Sequence, residues 1–478
     1  MGSELNTLNF GPEDELLFQE KLREETDLLQ DAFASDNIEK DPDLHCGLEL
    51  ETWLLDRQFK PFPESHSLLK KTNDPHIVPE VSRFNFEINT PPFQMEGDFL
   101  GKLHSFLCRR MKFCRTQAEE IGGHTLLIGS LATLKKEMLN LNNLFPNKRY
   151  AALNERILKL RGRNEVDVDI NGIEHLKAKF NSIMLECAAT SLQIHRTLCV
   201  KKSKDYYNAS LILSPFMAAL AANAPFLFNH NLWAETRIPI FEQAVQLQGF
   251  DRKLNKNIRR VTFGCQYAQN NLLELFVDNL ENYPVLLPDH KDRPPEDLSH
   301  LKLHNGTIWR WNRPIVEHQN GKFQLRIEHR VPSAGPSITD TVANLTFFLG
   351  ASSYLSTHIN EYMADIDFEK CRENFYSACH KGFDSEIWWK GKKKQPLKKI
   401  LLEEFLSQAE KSLIDQKLLP SDVDLFLNGV VKERIESGQN GSTWQRKYFL
   451  KHGKCFQNLI GEYKNWHDNN IPVHQWKC

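Results

Sequence analysis

Apolar residues recur every three or four positions in several parts of the chain, which is the spacing of one face of an α-helix. Between residues 15 and 35 this face is formed by Phe18, Leu22, Leu29 and Phe33. The same criterion predicts helices at residues 101–121 and 211–222, and a mostly helical region from Asp340 onward that ends in a polar tail.

Alternation of apolar and polar residues predicts strands, because successive side chains of a strand point to opposite faces. The segments with this alternation are residues 47–56, 83–89, 191–200, 307–311 and 324–331. Strands and helices alternate irregularly along the chain. This order favours the α+β class, with one sheet covered by helices.

Four of the predicted strands carry polar or charged side chains on one face. In the first, Leu48 and Leu50 point one way, whereas Glu49 and Glu51 point the other. The rise per residue puts the Cα atoms of these two acids roughly 6.5–7 Å apart. The other polar faces hold Asn85, Glu87 and Asn89; Ser191, Gln193 and His195; and Arg326, Glu328 and Arg330, while Glu80 lies seven residues before Glu87.

Two carboxylates this close repel each other unless a cation lies between or beside them. Hard divalent cations prefer carboxylate oxygen, and arginines neutralise the charge of a transferring phosphoryl group. The polar faces therefore fit a site that holds metal ions against phosphates. A structural network of ion pairs clusters charges in the same way, and the pattern alone leaves both interpretations open.

Composition argues against several classes of protein. The 478 residues are 41% hydrophobic and 26% charged, which is ordinary for a soluble globular protein, and the net charge of -2 favours neither nucleic acid nor a membrane surface. The longest apolar run, Ala209–Phe228, is interrupted by Ser214, Pro215 and Pro225, which suits a buried helix better than a membrane span. Met1–Asp14 lacks the apolar segment of a secretory signal, so a cytoplasmic location is expected.

Familiar short motifs are missing from the sequence. It has no GxxxxGK[ST], no GxGxxG after a strand, no GxSxG and no HExxH, so P-loop, Rossmann and common hydrolase interpretations are unsupported. Ten cysteines are scattered from Cys46 to Cys478 without a CxxC pair, which is typical of reduced cytosolic thiols. Residues 390–399 carry six lysines, for which a solvated loop is expected rather than an anion site.

Six short segments together resemble the carboxylate–amine ligase family that includes plant-type glutamate–cysteine ligases. They are Gly47-Leu-Glu-Leu-Glu, Phe84-Asn-Phe-Glu-Ile-Asn-Thr-Pro-Pro92, Pro146-Asn-Lys-Arg-Tyr150, Gln193-Ile-His195, Trp233-Ala-Glu-Thr-Arg237 and Arg326-Ile-Glu-His-Arg-Val-Pro332. Each motif alone is weak, whereas the combination is specific and runs from about residue 15 to 360. The family shares the catalytic fold of glutamine synthetase, which implies a curved, mostly antiparallel sheet covered by helices. We therefore expect residues 1–360 to form a ligase core that begins with a helix. Residues 361–478 are expected to form a helical region that packs on this core.

The resemblance implies a role for each matching residue. Glu49 and Glu51 match two acids of the family's first strand that divide between two metal sites, and Glu80 and Glu87 match the pair that completes one of them. Arg149 and Tyr150 begin a helix that either covers the site or only packs an aromatic side chain. The implied metal ligands are Glu49, Glu51, Glu80, Glu87, His195 and Glu328, the implied ATP contacts are Gln193, His195 and Arg330, and the implied catalytic arginines are Arg330, Arg313 and Arg237.

Three positions leave the resemblance incomplete. His195 stands where glutamine synthetase-like enzymes place a histidine that binds metal or faces the nucleotide, whereas plant-type members carry a different residue there. Relatives have an Asp two residues before Arg313, where this chain has Trp311, and this leaves the acceptor pocket undetermined. Arg237 either orients substrate or pairs with Glu235.

The reaction implied by the resemblance uses ATP and Mg²⁺, with Mn²⁺ as an alternative ion. The γ-carboxylate of glutamate is activated as an acyl phosphate and then joined to an amine, as in glutamate–cysteine ligase. Small-molecule substrates and a homodimer are expected by analogy with relatives. Three alternatives stay open: a phosphotransferase that stops after the first step, ligation to a protein or polyamine amine, and a binding protein with a dead site. The sequence names neither the amine nor the general base.

Overall fold

The structure is a computed structural model that describes residues 5, 7–35, 37–40, 42–251, 256–453 and 455–478. The described strands are β1 (His45–Leu55), β2 (Ile77–Pro79), β3 (Asn85–Asn89), β4 (Phe93–Gln94), β5 (His124–Leu126), β6 (Val166–Asn171), β7 (His175–Phe180), β8 (Leu192–Leu198), β9 (Phe226–Leu227), β10 (His230–Asn231), β11 (Gln248–Asp251), β12 (Lys256–Arg259), β13 (Val261–Thr262), β14 (Trp309–Arg310), β15 (Asn312–Gln319), β16 (Lys322–His329), β17 (Glu386–Trp389) and β18 (Lys393–Pro396).

The described helices are α1 (Pro12–Ala34), α2 (Ser65–Thr72), α3 (Phe99–Glu120), α4 (Lys148–Leu160), α5 (Val200–Leu220), α6 (Arg237–Ala244), α7 (Leu273–Asn282), α8 (Ser299–Asn305), α9 (Ile338–Asp365), α10 (Phe368–Lys381), α11 (Leu397–Ile400), α12 (Leu406–Asp415), α13 (Pro420–Val423), α14 (Glu433–Ser437), α15 (Gly441–His452) and α16 (Phe456–Asp468). A π-helical turn at Leu401–Phe405 joins α11 to α12, and another at Asp424–Lys432 joins α13 to α14.

Eight strands form one antiparallel sheet at the centre of the protein. Its order is β15–β16–β8–β1–β3–β2, and β4 and β5 pair with the two ends of β1. Helices α5 and α9 pack on each other, and α5 also contacts β15, β16 and β8. The α+β class and the mostly antiparallel sheet expected from the sequence are thus confirmed.

The alternation of β1 sorts its side chains between the two faces of the sheet. Leu48 and Leu50 are buried, whereas Glu49 and Glu51 are partly accessible on the other face. Burying two leucine side chains favours folding by about 1.5–3 kcal/mol each, so a one-residue shift of register is strongly opposed. The resulting register places polar residues opposite one another: Glu51 and Glu87, Glu49 and Gln193, Glu49 and Asn89, and Glu328 and His195.

Several elements differ from the sequence predictions. The strand expected at residues 307–311 shrinks to β14, which pairs with β13 outside the central sheet. Helix α5 starts at Val200, well before the predicted start at residue 211, because its first turns are polar and the continuous buried stretch begins only at Tyr207. The six lysines lie on the exposed β17–β18 hairpin and the start of α11 and not in an open loop.

The expected polar tail is also wrong, because the last residues pack into the protein. Val473 and Trp476 are buried, and the Trp476 ring lies against Trp444 and Tyr463 in edge-to-face geometry. Such aromatic contacts contribute beyond the area that they bury. Helical periodicity could not identify this segment, since its buried residues lie outside any long helix.

Buried polar contacts hold the C-terminal helices against the rest of the protein. Arg434 forms an ion pair with Asp340 of α9, with a nitrogen–oxygen distance of 2.7 Å, and both side chains are fully buried. Tyr463 donates a hydrogen bond to the Leu127 carbonyl oxygen at 2.8 Å. Helix α9 runs without a break across residue 360, and the division into residues 1–360 and 361–478 stays a proposal.

No helix in the described parts of the chain has the length and apolar character needed to cross a bilayer. The apolar run at residues 209–228 instead forms most of α5, whose residues from Tyr207 to Leu220 are all buried within the protein. The expectation of a buried core helix is confirmed.

Replacing Arg434 with Met tests whether the C-terminal helices belong to the same cooperative unit. The change leaves the Asp340 carboxylate buried without its cation, and we expect the free energy of unfolding to fall by about 3–5 kcal/mol in a single transition in urea. The control is Lys432→Met, because Lys432 is half exposed and 3.9 Å from Glu436; its loss should cost less than about 1 kcal/mol. A separate early transition of the C-terminal helices would contradict the prediction.

Candidate active site

Three side chains from three adjacent strands form the first group of potential metal ligands. They are Glu49 of β1, His195 of β8 and Glu328 of β16, and one ligand atom of each lies within 4.8 Å of the others. His195 Nε2 is 3.2 Å from Glu49 Oε1 and 3.7 Å from Glu328 Oε1. Glu328 is almost fully buried, whereas about a quarter of the Glu49 side chain is exposed. The group therefore opens to solvent on the Glu49 side.

A second group lies beside the first and consists only of acids. Glu51, Glu80 and Glu87 each place a carboxylate oxygen within 4.8 Å of the others. Glu51 accepts hydrogen bonds from the Ser191 hydroxyl at 3.0 Å and from Gln193 Nε2 at 2.8 Å. Glu87 Oε1 is buried and accepts no hydrogen bond from the described residues. Because side chains two positions apart on a strand share a face, β1 contributes Glu49 to the first group and Glu51 to the second.

The two groups differ in their electrostatics. Burial opposes ionisation of Glu49 and Glu328, but His195 holds the pKa of Glu49 at about 2, and Arg313 and Arg330 hold the pKa of Glu328 well below its usual range. In the second group, burial and the neighbouring carboxylates raise the pKa of Glu80 to about 8 and that of Glu87 well above its usual value. The two acids of the first group are therefore ionised without a bound metal, whereas burial and mutual repulsion oppose ionisation of Glu80 and Glu87.

Two arginines lie against the first group. Arg313 donates two hydrogen bonds to Glu328, from Nε at 2.7 Å and from Nη2 at 2.8 Å. Arg330 Nη1 lies 3.3 Å from Glu328 Oε2 and also donates to Gln193 Oε1. The neighbouring acids, Glu328 and Glu51 above all, raise the pKa of Arg330 against the effect of its burial. Gln193 thus links Arg330 to Glu51 of the second group.

Arg237 lies beneath this arrangement and forms structural contacts. Its Nε is 3.4 Å from Glu235 Oε1, and Nη2 donates to the carbonyl oxygens of Arg330 and Val331. Its guanidinium carbon is 5.4 Å from the centre of the Trp311 ring. The pairing with Glu235 considered from the sequence is therefore present, together with contacts that fix the backbone beside Arg330.

Trp311 occupies the position where the sequence comparison expected an acid. It is buried, and its indole nitrogen donates to Glu242 Oε1 at 3.0 Å. Tyr376 also donates to this oxygen, at 2.8 Å. Trp311 thus contacts a buried carboxylate of α6, which also lies 3.9 Å from Arg259 Nη1.

Arg149 and Tyr150 begin α4, as the sequence predicts, and both lie at the site. Tyr150 is buried, and the charges of Glu80 and Glu87 add to burial in raising its pKa. Arg149 Nη1 is buried without a hydrogen-bond partner in the described residues, and burial together with the nearby charge of Arg313 lowers its pKa. The start of α4 therefore lies near Glu80 and Glu87 of the second group and near Arg313.

The sequence analysis missed one acid of this region. Glu186 lies in the short helical turn Ile183–Ala188 that precedes β8, and its Oε2 is buried without a hydrogen-bond partner among the described residues. Burial and the charge of Glu51 raise its pKa to about 7, while Arg330 opposes the rise. The available signal was a single acid within a buried apolar turn just before the strand of His195. Arg326, by contrast, pairs with Glu317 at 2.9 Å and does not join the site.

The donor sets fit divalent metal ions. Carboxylate oxygens, with one imidazole in the first group, are the ligands that Mg²⁺ and Mn²⁺ accept. The second group holds three acids within 4.8 Å of one another and the orphaned Glu87 oxygen, which is unfavourable unless a cation is bound there. All six acids and imidazoles predicted as metal ligands are thus brought together, and Gln193, Arg313 and Arg330 lie beside them.

Comparison with known proteins assigns the chain to a family of ligases. The sequence profile of glutamate–cysteine ligase family 2 matches residues 45–465, which is most of the chain. No curated protein sequence matches. The matched range begins at the first residue of β1, ends within α16 and includes every residue of both ligand groups.

Among solved structures, the glutamate–cysteine ligase of Francisella tularensis, solved with AMP, is similar in fold. It is 13% identical, with 90% of each chain covered and a TM-score of 0.54. A bifunctional glutathione synthetase from Pasteurella multocida is 11% identical over 95% of this chain and 55% of that one, with a TM-score of 0.47. The first similarity shows the fold, and the second is too distant to bear on activity. The profile match over most of its length shows that the chain belongs to glutamate–cysteine ligase family 2, and that it is an ATP-dependent carboxylate–amine ligase.

Proposed function

We propose that the protein activates the γ-carboxylate of glutamate with ATP and a divalent metal, and joins it to an amine. The observation that carries this proposal is the pair of adjoining ligand groups, which share β1 and are bordered by Arg313 and Arg330. Two metal ions side by side can clamp a triphosphate against a second anion. A purely structural ion-pair network would pair each acid with a cation, whereas Glu80 and Glu87 form no ion pair with any residue that the structure describes.

In this proposal each ligand group has a distinct task. Glu49, His195 and Glu328 would hold one ion and Glu51, Glu80 and Glu87 the other, and Mg²⁺ bound there would neutralise charge on the phosphates and the carboxylate. Hydrogen bonds from Ser191 and Gln193 fix the carboxylate of Glu51, which sets its direction before an ion arrives.

The arginines orient the acids and stabilise transferred charge. Arg313 holds Glu328 with two parallel bonds, a geometry that fixes a carboxylate more firmly than a single contact. Arg330 lies between Glu328 and Gln193 and is placed to attract the phosphoryl group that moves from ATP to the substrate carboxylate. Arg237 supports the backbone carbonyl oxygen of Arg330, and we assign it a positioning role.

The chemistry proceeds in two steps. An oxygen of the substrate carboxylate attacks the γ-phosphorus of ATP, the bond to the β-phosphate oxygen breaks, and ADP leaves. The amine nitrogen then attacks the acyl carbon, the carbon–oxygen bond to phosphate breaks, and inorganic phosphate is released with the proton lost by nitrogen. Acyl phosphates hydrolyse in water, so the start of α4 with Arg149 and Tyr150 is proposed to exclude it.

A screen of glutamate against a panel of amines and amino acids tests this function. Phosphate release from ATP should depend on both substrates, and mass spectrometry should find an amide. A phosphorylated product without an amide would indicate a phosphotransferase, and phosphate release only with a protein or polyamine would identify that acceptor. If calorimetry detects no binding of magnesium–ATP, the result would favour a binding protein with a dead site over an enzyme.

Replacing Glu328 with Gln should lower kcat on the order of a thousandfold, because one ligand that holds a catalytic ion contributes several kcal/mol to the transition state. Glu49→Gln should act in the same direction and leaves the buried Arg313 pair untouched. Glu317→Gln is the control, because Glu317 is an acid of β15 that pairs with Arg326 away from the ligand groups. Near-normal ligation by both site variants would refute the assignment.

The second ligand group should make metal stabilisation depend on pH. Burial and the neighbouring carboxylates raise the pKa of Glu80 to about 8 in the folded protein, against an ordinary value of 4.5. The stability of the fold therefore falls as the pH rises between these values, and Glu80 of the folded protein loses its proton only near pH 8. A divalent cation replaces the missing protons, and Mn²⁺ should therefore raise Tm more at pH about 8 than at pH about 6. Differential scanning fluorimetry measures the shift. Glu80→Gln should reduce the difference, and equal shifts at both pH values would contradict the prediction.

A further inference from the structure

Trp311 holds the backbone of Arg330 from two directions. Its carbonyl oxygen accepts a hydrogen bond from the Arg330 amide at 2.9 Å. The guanidinium of Arg237 lies over the Trp311 ring, 5.4 Å from its centre, and donates to the carbonyl oxygens of Arg330 and Val331. The Arg330 backbone is therefore fixed at its amide by Trp311, and at its carbonyl oxygen by a side chain that packs on Trp311.

A hydrogen bond to Glu242 decides how the Trp311 ring is turned. Rotation of an indole about its last side-chain bond has broad energy minima, so packing alone leaves the angle loosely defined. The rings of Phe241 and Phe375 lie 5.9 and 6.2 Å from that of Trp311, centre to centre. The indole N–H donates to Glu242 Oε1 at 3.0 Å. This bond selects one orientation of the ring, and with it the face that Arg237 contacts.

Glu242 is held in turn from two other elements. Tyr376 of α10 donates to the same oxygen at 2.8 Å, and Arg259 Nη1 of β12 lies 3.9 Å from Oε2. The Glu242 side chain is only 6% exposed, whereas the Arg259 side chain is 53% exposed, so this cation compensates little for the burial of the acid. An apolar side chain among the neighbouring aromatic rings would cost less to bury. The stability of the fold alone therefore gives no reason for a carboxylate at this position.

The contacts that begin at Glu242 end at the arginine that the proposed function places beside the transferred phosphoryl group. Arg330 Nη1 lies 3.3 Å from Glu328 Oε2 and also donates to Gln193 Oε1. A shift of the Arg330 backbone would move its guanidinium relative to both partners. A displacement of about 1 Å, caused by a change far from the reacting atoms, can cost about a hundredfold in rate.

We propose that Glu242 is a positioning residue for phosphoryl transfer, which acts through Trp311 on the backbone of Arg330. Arg237 transmits the effect, because it contacts both Trp311 and Arg330. This inference rests on the proposed function and adds a residue that lies outside both ligand groups. Since Arg330 acts on the phosphoryl group as it moves, its displacement should lower kcat and leave the binding of ATP and glutamate almost unchanged.

Replacing Trp311 with Phe tests the step between Glu242 and Arg330, because it removes the indole N–H and keeps an aromatic ring. The assay contains ATP, glutamate, Mg²⁺ and the amine that the screen identifies, at a temperature well below Tm of every variant. We expect kcat to fall about 10–100-fold, while KM for ATP and for glutamate stays within about twofold.

The matched control is Trp444→Phe. Trp444 is also fully buried, and its indole N–H donates to the Lys477 carbonyl oxygen at 3.2 Å in the C-terminal region. The same substitution there should lower Tm to a similar extent and leave kcat within about twofold, because it removes an equivalent bond away from the site. A loss of kcat that is confined to Trp311→Phe therefore reports positioning and not loss of stability.

Two substitutions of Glu242 separate its hydrogen bond from its packing. Glu242→Gln keeps an oxygen that accepts the bond from Trp311 and should keep kcat within about threefold. Glu242→Leu removes the acceptor at a similar volume and should lower kcat about as far as Trp311→Phe. If Glu242→Leu does not fold, Tyr376→Phe replaces it. This variant removes one of the two donors to Glu242 Oε1 and should lower kcat about 3–10-fold without a change in KM.

Contrary results identify which step is wrong. Equal kcat in Trp311→Phe and Trp444→Phe would make Trp311 a packing residue and overturn the inference, and so would a raised KM with normal kcat. A Glu242→Gln variant as slow as Glu242→Leu would also overturn it, because the charge and not the bond to the indole would then be required. In these cases the wild-type protein is active and the proposed function stands. If the wild-type protein releases no phosphate with any amine of the panel, the proposed function itself fails and the inference fails with it.

Discussion

Repulsion between carboxylates on one face of the central sheet is the constraint on which the site depends. Glu51 and Glu87 lie opposite each other on β1 and β3, and Glu80 joins them within 4.8 Å. Two like charges 4 Å apart repel by about 4 kcal/mol at the effective dielectric constant of a protein surface. A buried apolar face beneath the strands, including Leu48 and Leu50, fixes the register despite this repulsion.

The two ligand groups differ in how their negative charge is neutralised. Glu328 is neutralised by two arginines of the protein itself, so the first group is organised in the metal-free state. In the second group, burial raises the pKa of Glu51 although Arg330 and Arg237 oppose the rise, and burial with the neighbouring carboxylates raises the pKa of Glu80 to about 8. Residues of the protein thus neutralise the acids of the first group, whereas the described residues leave those of the second group less fully neutralised. This difference explains why the acids of one strand, β1, have opposite pKa shifts.

Sequence patterns predicted the elements that carry the site because those elements obey simple periodicity. Alternation identified β1 and β16, and family resemblance identified Glu80, which lies in a loop and follows no period. Periodicity could not find Glu186, because a single acid in a short turn has no repeat. It also missed the packed C-terminal segment around Trp476, which is set by tertiary contacts and not by local pattern. The roles assigned to the site residues stay predictions.

The most direct test of the two-ion site is anomalous X-ray diffraction from crystals grown with Mn²⁺ and a non-hydrolysable ATP analogue. We expect one manganese peak among Glu49, His195 and Glu328, a second among Glu51, Glu80 and Glu87, and the terminal phosphate of the analogue beside both. Peaks that avoid these acids, or a nucleotide bound elsewhere on the protein, would contradict the account.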